Sequence, residues 1–175
     1  MLSIPTHPLW SIDMTKKISV VFVCMGNICR SPTAEAVFRH YVESAGMSGQ
    51  IMIDSAGTHD YHIGDKPDAR AQRAAQQRGY DMSNLRGRQV GEDDFRRFDY
   101  VLAMDTSNLA ILQRISPPGS DTRARLFLEY ARHHRERDVP DPYYGGADGF
   151  ERVLDMVEDA AQGLLEEIRQ KHFVA

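Results

Sequence analysis

The chain has 175 residues, a formal net charge of -4 at pH 7 and 42% hydrophobic residues, which fits one domain with a sizeable core. The negative net charge gives no broad attraction for nucleic acid or for an anionic membrane surface. No apolar run approaches the ~20 residues of a spanning helix, and two cysteines are too few for a disulfide-built secreted scaffold. We therefore expect a soluble cytoplasmic protein without a nucleic-acid or membrane partner, in which any recognition of anions is local.

The N-terminal segment, residues 1–13, reads MLSIPTHPLWSID and shows two prolines but no periodic pattern. We interpret it as a flexible extension outside the fold, and expect a single domain over residues 14–175. The first predicted strand is ISVVFV, residues 18–23, and the first predicted helix covers residues 31–46. Ser31 is the expected N-cap of this helix, and Gly46 its expected end.

Strand and helix patterns continue to alternate along the chain. Strands are predicted at residues 50–57, 99–105 and 123–130, and helices at residues 67–80, just after residue 105 and at 148–170. This order predicts an α/β fold with a central parallel sheet of about four strands and helices on both faces. Ligands of such folds bind beyond the carboxyl ends of the strands.

Both cysteines lie in the segment VCMGNICRSP, which joins the first strand to the first helix. The peptide N–H groups of such a loop converge at a helix N-terminus, so we expect it to bind phosphate. Gly26 permits a tight turn, Asn27 tolerates positive φ, and the planar fork of Arg30 matches two phosphate oxygens.

Cys24 would be the nucleophile of this loop. The helix dipole, the N–H groups and the guanidinium favour its thiolate, and Ser31 could donate a hydrogen bond to the sulfur. Attack on a phosphoryl group also requires an acid for the leaving oxygen. Asp141, in the loop VPDPYYGG, is the best-placed acid by its local chemistry.

Other interpretations of these residues are open at this point. The two cysteines could be buried structural thiols or half of a zinc site, and Asp141 could merely start a turn. The histidines have the pattern of solvated surface residues, so we expect no metal. The long apolar stripe of the last helix is expected to be core packing.

VCMGNICRSP together with the distant DPYYGG closely resembles the low-molecular-weight protein tyrosine phosphatase family, and IDSAGT and VLAMDTSN extend the match. The resemblance implies that Cys24 attacks phosphotyrosine to form a phosphocysteine while Arg30 holds the phosphate. It implies that Asp141 first protonates the phenol and then activates water, without a metal or organic cofactor.

The resemblance also implies that Asn27, Ser31 and Ser55 form a hydrogen-bond network that supports the loop. Cys29 would be an adjacent thiol that forms a reversible disulfide with Cys24 under oxidation. Residues of the loop and of three aromatic positions would contact the substrate: Met25, Gly26, Asn27, Ile28, Cys29, Ser31, Tyr61, Tyr143 and Tyr144. The implied partner is a tyrosine-phosphorylated protein, with a tyrosine kinase as one candidate.

One position departs from the family pattern, because Leu85 stands where many members have a histidine of the supporting network. This departure concerns the rigidity of the loop rather than its chemistry. An arginine phosphatase of the same fold is an alternative, although Ile28 occupies the position where that type typically has threonine. Arsenate reductase would need downstream cysteines that the chain lacks, and a passive phosphate or sulfate receptor would not need Asp141.

Overall fold

The computed structural model describes residues 15–146 and 148–174. The predicted N-terminal extension, residues 1–13, lies outside the described residues.

The centre of the fold is a four-stranded sheet in which all the neighbouring strands are parallel. Its strands are β1 (Ile18–Cys24), β2 (Ile51–Gly57), β3 (Tyr100–Ala103) and β4 (Ala124–Leu126), in the spatial order β2-β1-β3-β4. Every residue of β1 is buried, as its apolar run of residues 20–23 predicts for a central parallel strand. The predicted fold class is confirmed.

In the part of the chain that the structure describes, five α-helices accompany the sheet, and their contacts follow the alternation of side chains along β1. Val20 and Phe22 point to one face and share a core with α1, α2 and α5, whereas Val21 and Val23 point to the other and pack with α3 and α4. The helices are α1 (Arg30–Ser44), α2 (Ala69–Gln77), α3 (Asp94–Arg97), α4 (Thr106–Ile115) and α5 (Asp148–Ile168). Helices therefore cover both faces, as predicted.

The strand order places a crevice at one end of the sheet. From β1 the chain moves to one side to form β2 and later to the other side to form β3, so the order reverses between β1 and β3. The carboxyl ends of these two neighbours, at Cys24 and Ala103, therefore flank a crevice of the kind in which α/β proteins bind ligands.

Two predicted elements differ from the structure. The first helix begins at Arg30 with Cys29 at its N-cap position, so the prediction of Ser31 as N-cap was wrong. The Ser31 hydroxyl lies against the sulfur of Cys24 instead. The predicted fourth strand ends at Leu126, because Phe127 and Leu128 both enter the core beside α1 and α5, which consecutive residues of a strand could not do.

A buried carboxylate connects α5 to the loop that follows β4. Asp159 accepts hydrogen bonds from the backbone amides of Arg132, His133 and His134 at 2.8–2.9 Å, and its Oδ2 lies 2.8 Å from Nδ1 of His134. Burial by itself raises the pKa of Asp159, but these hydrogen bonds outweigh burial and hold the pKa well below its usual range. The carboxylate therefore fixes the backbone of this loop against the helix.

Replacement of Asp159 should destabilise the fold in a pH-dependent way. Asp159→Asn removes the charge, and we expect it to lower the free energy of unfolding at pH 7 by about 2–4 kcal/mol, from the strength of charge-assisted hydrogen bonds. Because the folded-state pKa is lowered, this stabilisation is complete above the unfolded value of ~3.9 and is lost as the pH falls below it.

Urea unfolding at several pH values checks this expectation. The difference between wild type and Asp159→Asn should be full at pH 7 and should shrink below about pH 4. The control is Asp121→Asn, because Asp121 is an exposed aspartate. Equal stability of the wild type and Asp159→Asn at pH 7 would contradict the assigned role.

Candidate active site

The loop that joins β1 to α1, residues 24–31, is folded around the sulfur of Cys24. This side chain is buried, and its Sγ accepts a hydrogen bond from the amide of Asn27 at 3.2 Å and lies 3.0 Å from Oγ of Ser31. Asn27 has a φ of 56°, as its residue type predicts for the tight turn. The turn aims donors at the sulfur, an arrangement that stabilises a negative charge there.

Side-chain hydrogen bonds hold Asn27 in this conformation. Its Nδ2 donates to Oγ of Ser31 at 2.8 Å and to Oγ of Ser55, at the end of β2, at 3.0 Å. Ser55 in turn donates to Oε1 of the buried Glu35 at 2.7 Å, and Arg39 donates to the other oxygen of Glu35 at 2.7 Å. The structure thus brings Asn27, Ser31 and Ser55 together, and adds Glu35, which the sequence analysis had not identified.

Arg30 lies beneath the loop with only 4% of its side chain exposed. Its NH1 group is 2.6 Å from Oδ2 of Asp105, just after β3, and donates to the carbonyl oxygen of Val139 at 3.0 Å. Burial lowers the pKa of Arg30, but the charge of Cys24 and the interactions with Asp105 and Asp141 raise it, and the net shift is upward. The guanidinium is therefore a permanent cation in a fixed position.

Asp105 was not identified from the sequence, although its position between a predicted strand and a predicted helix could have indicated a role in the site. It follows a buried strand at the edge of the crevice, and it also caps α4, where its Oδ1 accepts from the amide of Asn108 at 2.7 Å. An acidic residue between a strand and a helix uses one carboxylate oxygen to cap the helix. Its other oxygen is then close to the carboxyl end of the neighbouring strand. In this chain the neighbouring strand end carries the loop with Arg30.

Asp141 reaches the same site from the loop that precedes α5. Its Oδ2 lies 3.8 Å from NH2 of Arg30, and 35% of its side chain is exposed. The other oxygen, Oδ1, accepts from the amide of Tyr143 at 3.0 Å, and the guanidinium of Arg70 stacks 5.3 Å from the centre of the Tyr143 ring. The carboxylate is thus held above the loop while remaining accessible to solvent.

These groups surround an open cavity of about 190 Å³. Asn27, Ser31 and Ser55 support the loop from behind and do not line the cavity. Tyr61, Tyr143 and Tyr144 are exposed at its rim. The lining residues include all the other predicted contacts and one unpredicted residue, His62: Cys24, Met25, Gly26, Ile28, Cys29, Arg30, Tyr61, His62, Asp141, Tyr143 and Tyr144.

The floor of the cavity suits a tetrahedral anion. Within residues 15–146 and 148–174, the amides of Gly26, Ile28 and Cys29 donate no hydrogen bond, so they are free to bind oxygen atoms. They lie at the N-terminus of α1 beside the guanidinium of Arg30. Free amides, a helix dipole and a fixed cation around a sulfur match the requirements of phosphoryl transfer to cysteine.

Cys29 differs in character from Cys24, although both are free thiols. Burial, together with the negative charges of Asp68, Cys24 and Asp141, raises the pKa of the Cys29 thiol to about 12. Cys29 is therefore protonated at neutral pH. Among the described residues, no group of histidine, cysteine and acidic side chains could hold a metal ion, and no helix combines the length and apolarity required to cross a bilayer.

Comparison with known proteins identifies the family. A family model described as low molecular weight phosphotyrosine protein phosphatase matches residues 19–173. The protein of that name from Schizosaccharomyces pombe is 46% identical over 156 residues, which cover 89% of this chain and 99% of that protein. The chain belongs to the low molecular weight phosphotyrosine protein phosphatase family, and the predicted resemblance is confirmed.

Solved structures agree with this membership. A protein tyrosine phosphatase from Entamoeba histolytica superposes with a TM-score of 0.85 at 37% identity, covering 88% of this chain and 98% of that one. A Drosophila arginine phosphatase superposes with a TM-score of 0.81 at 32% identity, covering 87% and 98%. The fold by itself therefore does not distinguish a tyrosine from an arginine phosphatase.

The structure accounts for the departure from the family pattern at Leu85. Leu85 packs against the core, and Oδ1 of Asn27 accepts a hydrogen bond from the backbone amide of Arg88 at 3.1 Å. The side chain of Arg88 is itself held by Asp54 at 2.9 Å and by Asp94 at 2.8 Å. Asn27 thus has partners for both ends of its amide, so the loop is supported without a histidine at this position.

The segment around Arg88 also holds one wall of the cavity. Gly87 exchanges two backbone hydrogen bonds with the loop that contains His62: the amide of Gly64 donates to Gly87 at 2.8 Å, and the amide of Gly87 donates to Asp65 at 2.9 Å. A Cβ atom at Gly87 would overlap the carbonyl oxygen of His62. Only glycine allows this close approach.

Gly87→Ala should therefore push the wall away and strain the fold. We expect a loss of about 1–3 kcal/mol in the free energy of unfolding, as for other overpacked sites. Urea unfolding measures the loss, with Gly91→Ala as the matched control because a Cβ atom at Gly91 meets no atom within 4 Å. Equal stabilities of the two variants would show that the wall loop adapts without cost.

Proposed function

We propose that this protein is a phosphotyrosine phosphatase in which Cys24 forms a phosphocysteine intermediate. The observation that carries the proposal is the convergence of three side chains on one cavity: the Cys24 sulfur and the Arg30 guanidinium from the loop after β1, and the Asp141 carboxylate from the loop before α5. The first two lie at the base and the third above them, as expected for a nucleophile, an oxyanion ligand and an acid acting on opposite sides of a phosphorus atom.

In the first step the phosphate occupies the loop, where its oxygens accept hydrogen bonds from the free amides and from Arg30. The thiolate of Cys24 attacks phosphorus, so an S–P bond forms while the bond to the phenolic oxygen breaks. The electron pair of that bond goes to the phenolic oxygen, which receives the proton of the Asp141 carboxyl group. Tyrosine leaves as the neutral phenol.

In the second step the Asp141 carboxylate accepts a proton from water, whose oxygen attacks the phosphocysteine. The S–P bond breaks, its electron pair returns to sulfur, and inorganic phosphate leaves. The amide of Asn27 donates to the sulfur in the structure and the hydroxyl of Ser31 lies 3.0 Å from it, so both are placed to donate to the departing thiolate. These hydrogen bonds lower the cost of breaking the S–P bond and restore the enzyme for another cycle.

The lining of the cavity favours phosphotyrosine over phosphoarginine. The apolar side chains of Met25 and Ile28 and the exposed rings of Tyr61 and Tyr143 suit an aromatic ring, whereas Met25 and Ile28 offer no strong acceptor for the N–H groups of a phosphorylated guanidinium. The protein partner is accordingly a tyrosine-phosphorylated protein, with a tyrosine kinase as one candidate. Comparison of phosphotyrosine, phosphoarginine and arsenate as substrates separates these activities.

Two substitutions test the mechanism with aryl phosphates. Cys24→Ser should abolish turnover because the nucleophile is lost. Asp141→Asn should lower kcat by about 10²–10⁴-fold for phenyl phosphate and by less for 4-nitrophenyl phosphate, whose leaving group needs less protonation. Steady-state kinetics across a series of leaving groups measures both effects.

The exposed Asp121, far along the chain from the loop, supplies the control variant Asp121→Asn, which should keep the wild-type rate. Near-normal turnover by Cys24→Ser would contradict the mechanism. Phosphate binding without turnover in the wild-type protein would favour a passive receptor.

We also propose that Cys29 protects Cys24 from irreversible oxidation. Peroxide converts the Cys24 thiolate to a sulfenic acid, with loss of hydroxide. The sulfur of Cys29 then attacks the Cys24 sulfur, so that a disulfide forms and water leaves. Because the pKa of Cys29 is raised to about 12, its thiolate is scarce at neutral pH, and this second step should be the slow one.

The pH dependence of disulfide formation tests this role. Below a raised pKa the thiolate fraction grows about tenfold per pH unit, so the resolving step should accelerate by about a hundredfold between pH 7 and pH 9. Brief peroxide treatment, a pH jump and mass spectrometry of the peptide with both cysteines would follow the loss of two hydrogens. Without such a mass loss, or with equal sulfinic acid formation in Cys29→Ser, the proposal fails.

A further inference from the structure

A cationic segment that the proposed mechanism does not use lies between β4 and the loop of Asp141. Residues 131–138, ARHHRERD, are called here the basic loop. The side chains of Arg132, Arg135 and Arg137 are exposed, and none of them has a hydrogen bond or an ion pair to another described residue. With Glu136 and Asp138 the loop has a formal net charge of +1, whereas the chain as a whole carries a net charge of -4.

The basic loop is fixed at both ends, although its middle faces solvent. At its start, the buried carboxylate of Asp159 binds three consecutive backbone amides. At its end, Asp138 accepts from the amide and hydroxyl of Thr106 at 2.9 and 3.1 Å, and the amide of Val139 donates to Met104 at 2.8 Å. The arginines are therefore displayed from a constrained backbone, which lowers the entropy that a binding partner must remove.

This loop borders the candidate active site. The carbonyl oxygen of Val139, two residues after Arg137, accepts the hydrogen bond from Arg30, and Asp141 follows two residues later. Four residues of extended chain span at most ~14 Å, which places the backbone of Arg137 within that distance of Asp141. A substrate segment of similar length, leading away from a tyrosine in the cavity, is long enough to span this distance.

We infer that the basic loop is a docking surface for acidic residues that flank the phosphotyrosine of the protein substrate. The inference rests on the proposed function and adds a substrate class to it. The acidic residues should lie within about four to six positions of the phosphotyrosine, given ~3.3 Å per residue of an extended peptide. Arginine side chains match carboxylates through two parallel hydrogen bonds.

The acidic residues of the loop leave its arginines free to bind. Asp138 is engaged by Thr106, and Glu136 lies 4.0 Å from Arg152 of α5, which adds another cation to this surface. A flexible acidic peptide suits so small a patch beside a catalytic cavity. A membrane or duplex nucleic acid would instead meet the unfavourable net charge of the whole molecule.

Kinetics with three matched phosphotyrosine peptides tests the inference. One has aspartates four to six positions before the phosphotyrosine, one has them four to six positions after it, and one has alanines at both places. At low salt we expect one acidic peptide to have a kcat/KM about tenfold higher than the alanine peptide, through a lower KM, from the summed strength of three exposed ion pairs. The preference should decline as salt is raised towards 0.5 M.

The variant Arg132→Gln/Arg135→Gln/Arg137→Gln should lose this preference and keep wild-type turnover of 4-nitrophenyl phosphate. A variant with three other exposed arginines replaced, Arg96→Gln/Arg114→Gln/Arg123→Gln, has the same change of net charge and should keep the preference. Urea unfolding shows whether both variants are folded. Turnover of the aryl phosphate depends on the proposed function alone, so a failure of that function is seen separately.

Equal kcat/KM values for the three peptides, in a wild-type protein that hydrolyses the aryl phosphate, would overturn the inference. An equal loss of preference in both triple variants would also overturn it, because the effect would then come from net charge. Binding of the wild type to anionic phospholipid vesicles or to duplex DNA, lost in the basic-loop variant without any change in peptide kinetics, would assign the loop to that partner instead.

Discussion

The ion pair between the buried Arg30 and the partly buried Asp105 is the interaction on which the rest of the site depends. It joins the carboxyl ends of two neighbouring strands, because Arg30 begins the helix after β1 and Asp105 follows β3. Removing Asp105 takes away the nearest counter-charge of a buried guanidinium, a change that costs up to about 3–5 kcal/mol in a fully buried pair. The same guanidinium also binds the carbonyl oxygen of Val139, so the ion pair sets the position of the chain that leads to Asp141.

Around this pair, buried polar side chains keep the loop rigid. Asn27, Ser31, Ser55 and Glu35 are all buried, and each has hydrogen-bond partners inside the fold. A network of this kind costs less than its parts would cost separately, since an unpaired polar group in the interior is strongly unfavourable. The result is a set of donors aimed at the Cys24 sulfur before any ligand arrives, which is the arrangement that electrostatic catalysis needs.

Several features could be predicted from the sequence because they depend on short-range patterns. The apolar run of residues 20–23 in β1, the turn residues Gly26 and Asn27, and the 3.6-residue stripe of α5 each predict the structure of their own segment. Ser31 was placed wrongly as an N-cap because a hydroxyl near a helix start satisfies that pattern as well as it satisfies a bond to a nearby sulfur. The predicted fourth strand was too long for a similar reason, since Phe127 and Leu128 are typical strand residues whose burial on one face depends on α1 and α5.

The sequence by itself determined the fold class, the family and the chemical character of the loop from residue 24 to residue 31, because residue types and spacings that are close along the chain encode them. Only the tertiary structure decided which distant groups complete the site. Asp105 and Val139 meet Arg30 across separations of 75 and 109 residues, and the backbone amide of Arg88 binds Asn27. Asp141 was named from the sequence, but its position 3.8 Å from the Arg30 guanidinium was not. Such contacts depend on how close the sheet brings its strand ends in space, and no short-range sequence pattern predicts that distance.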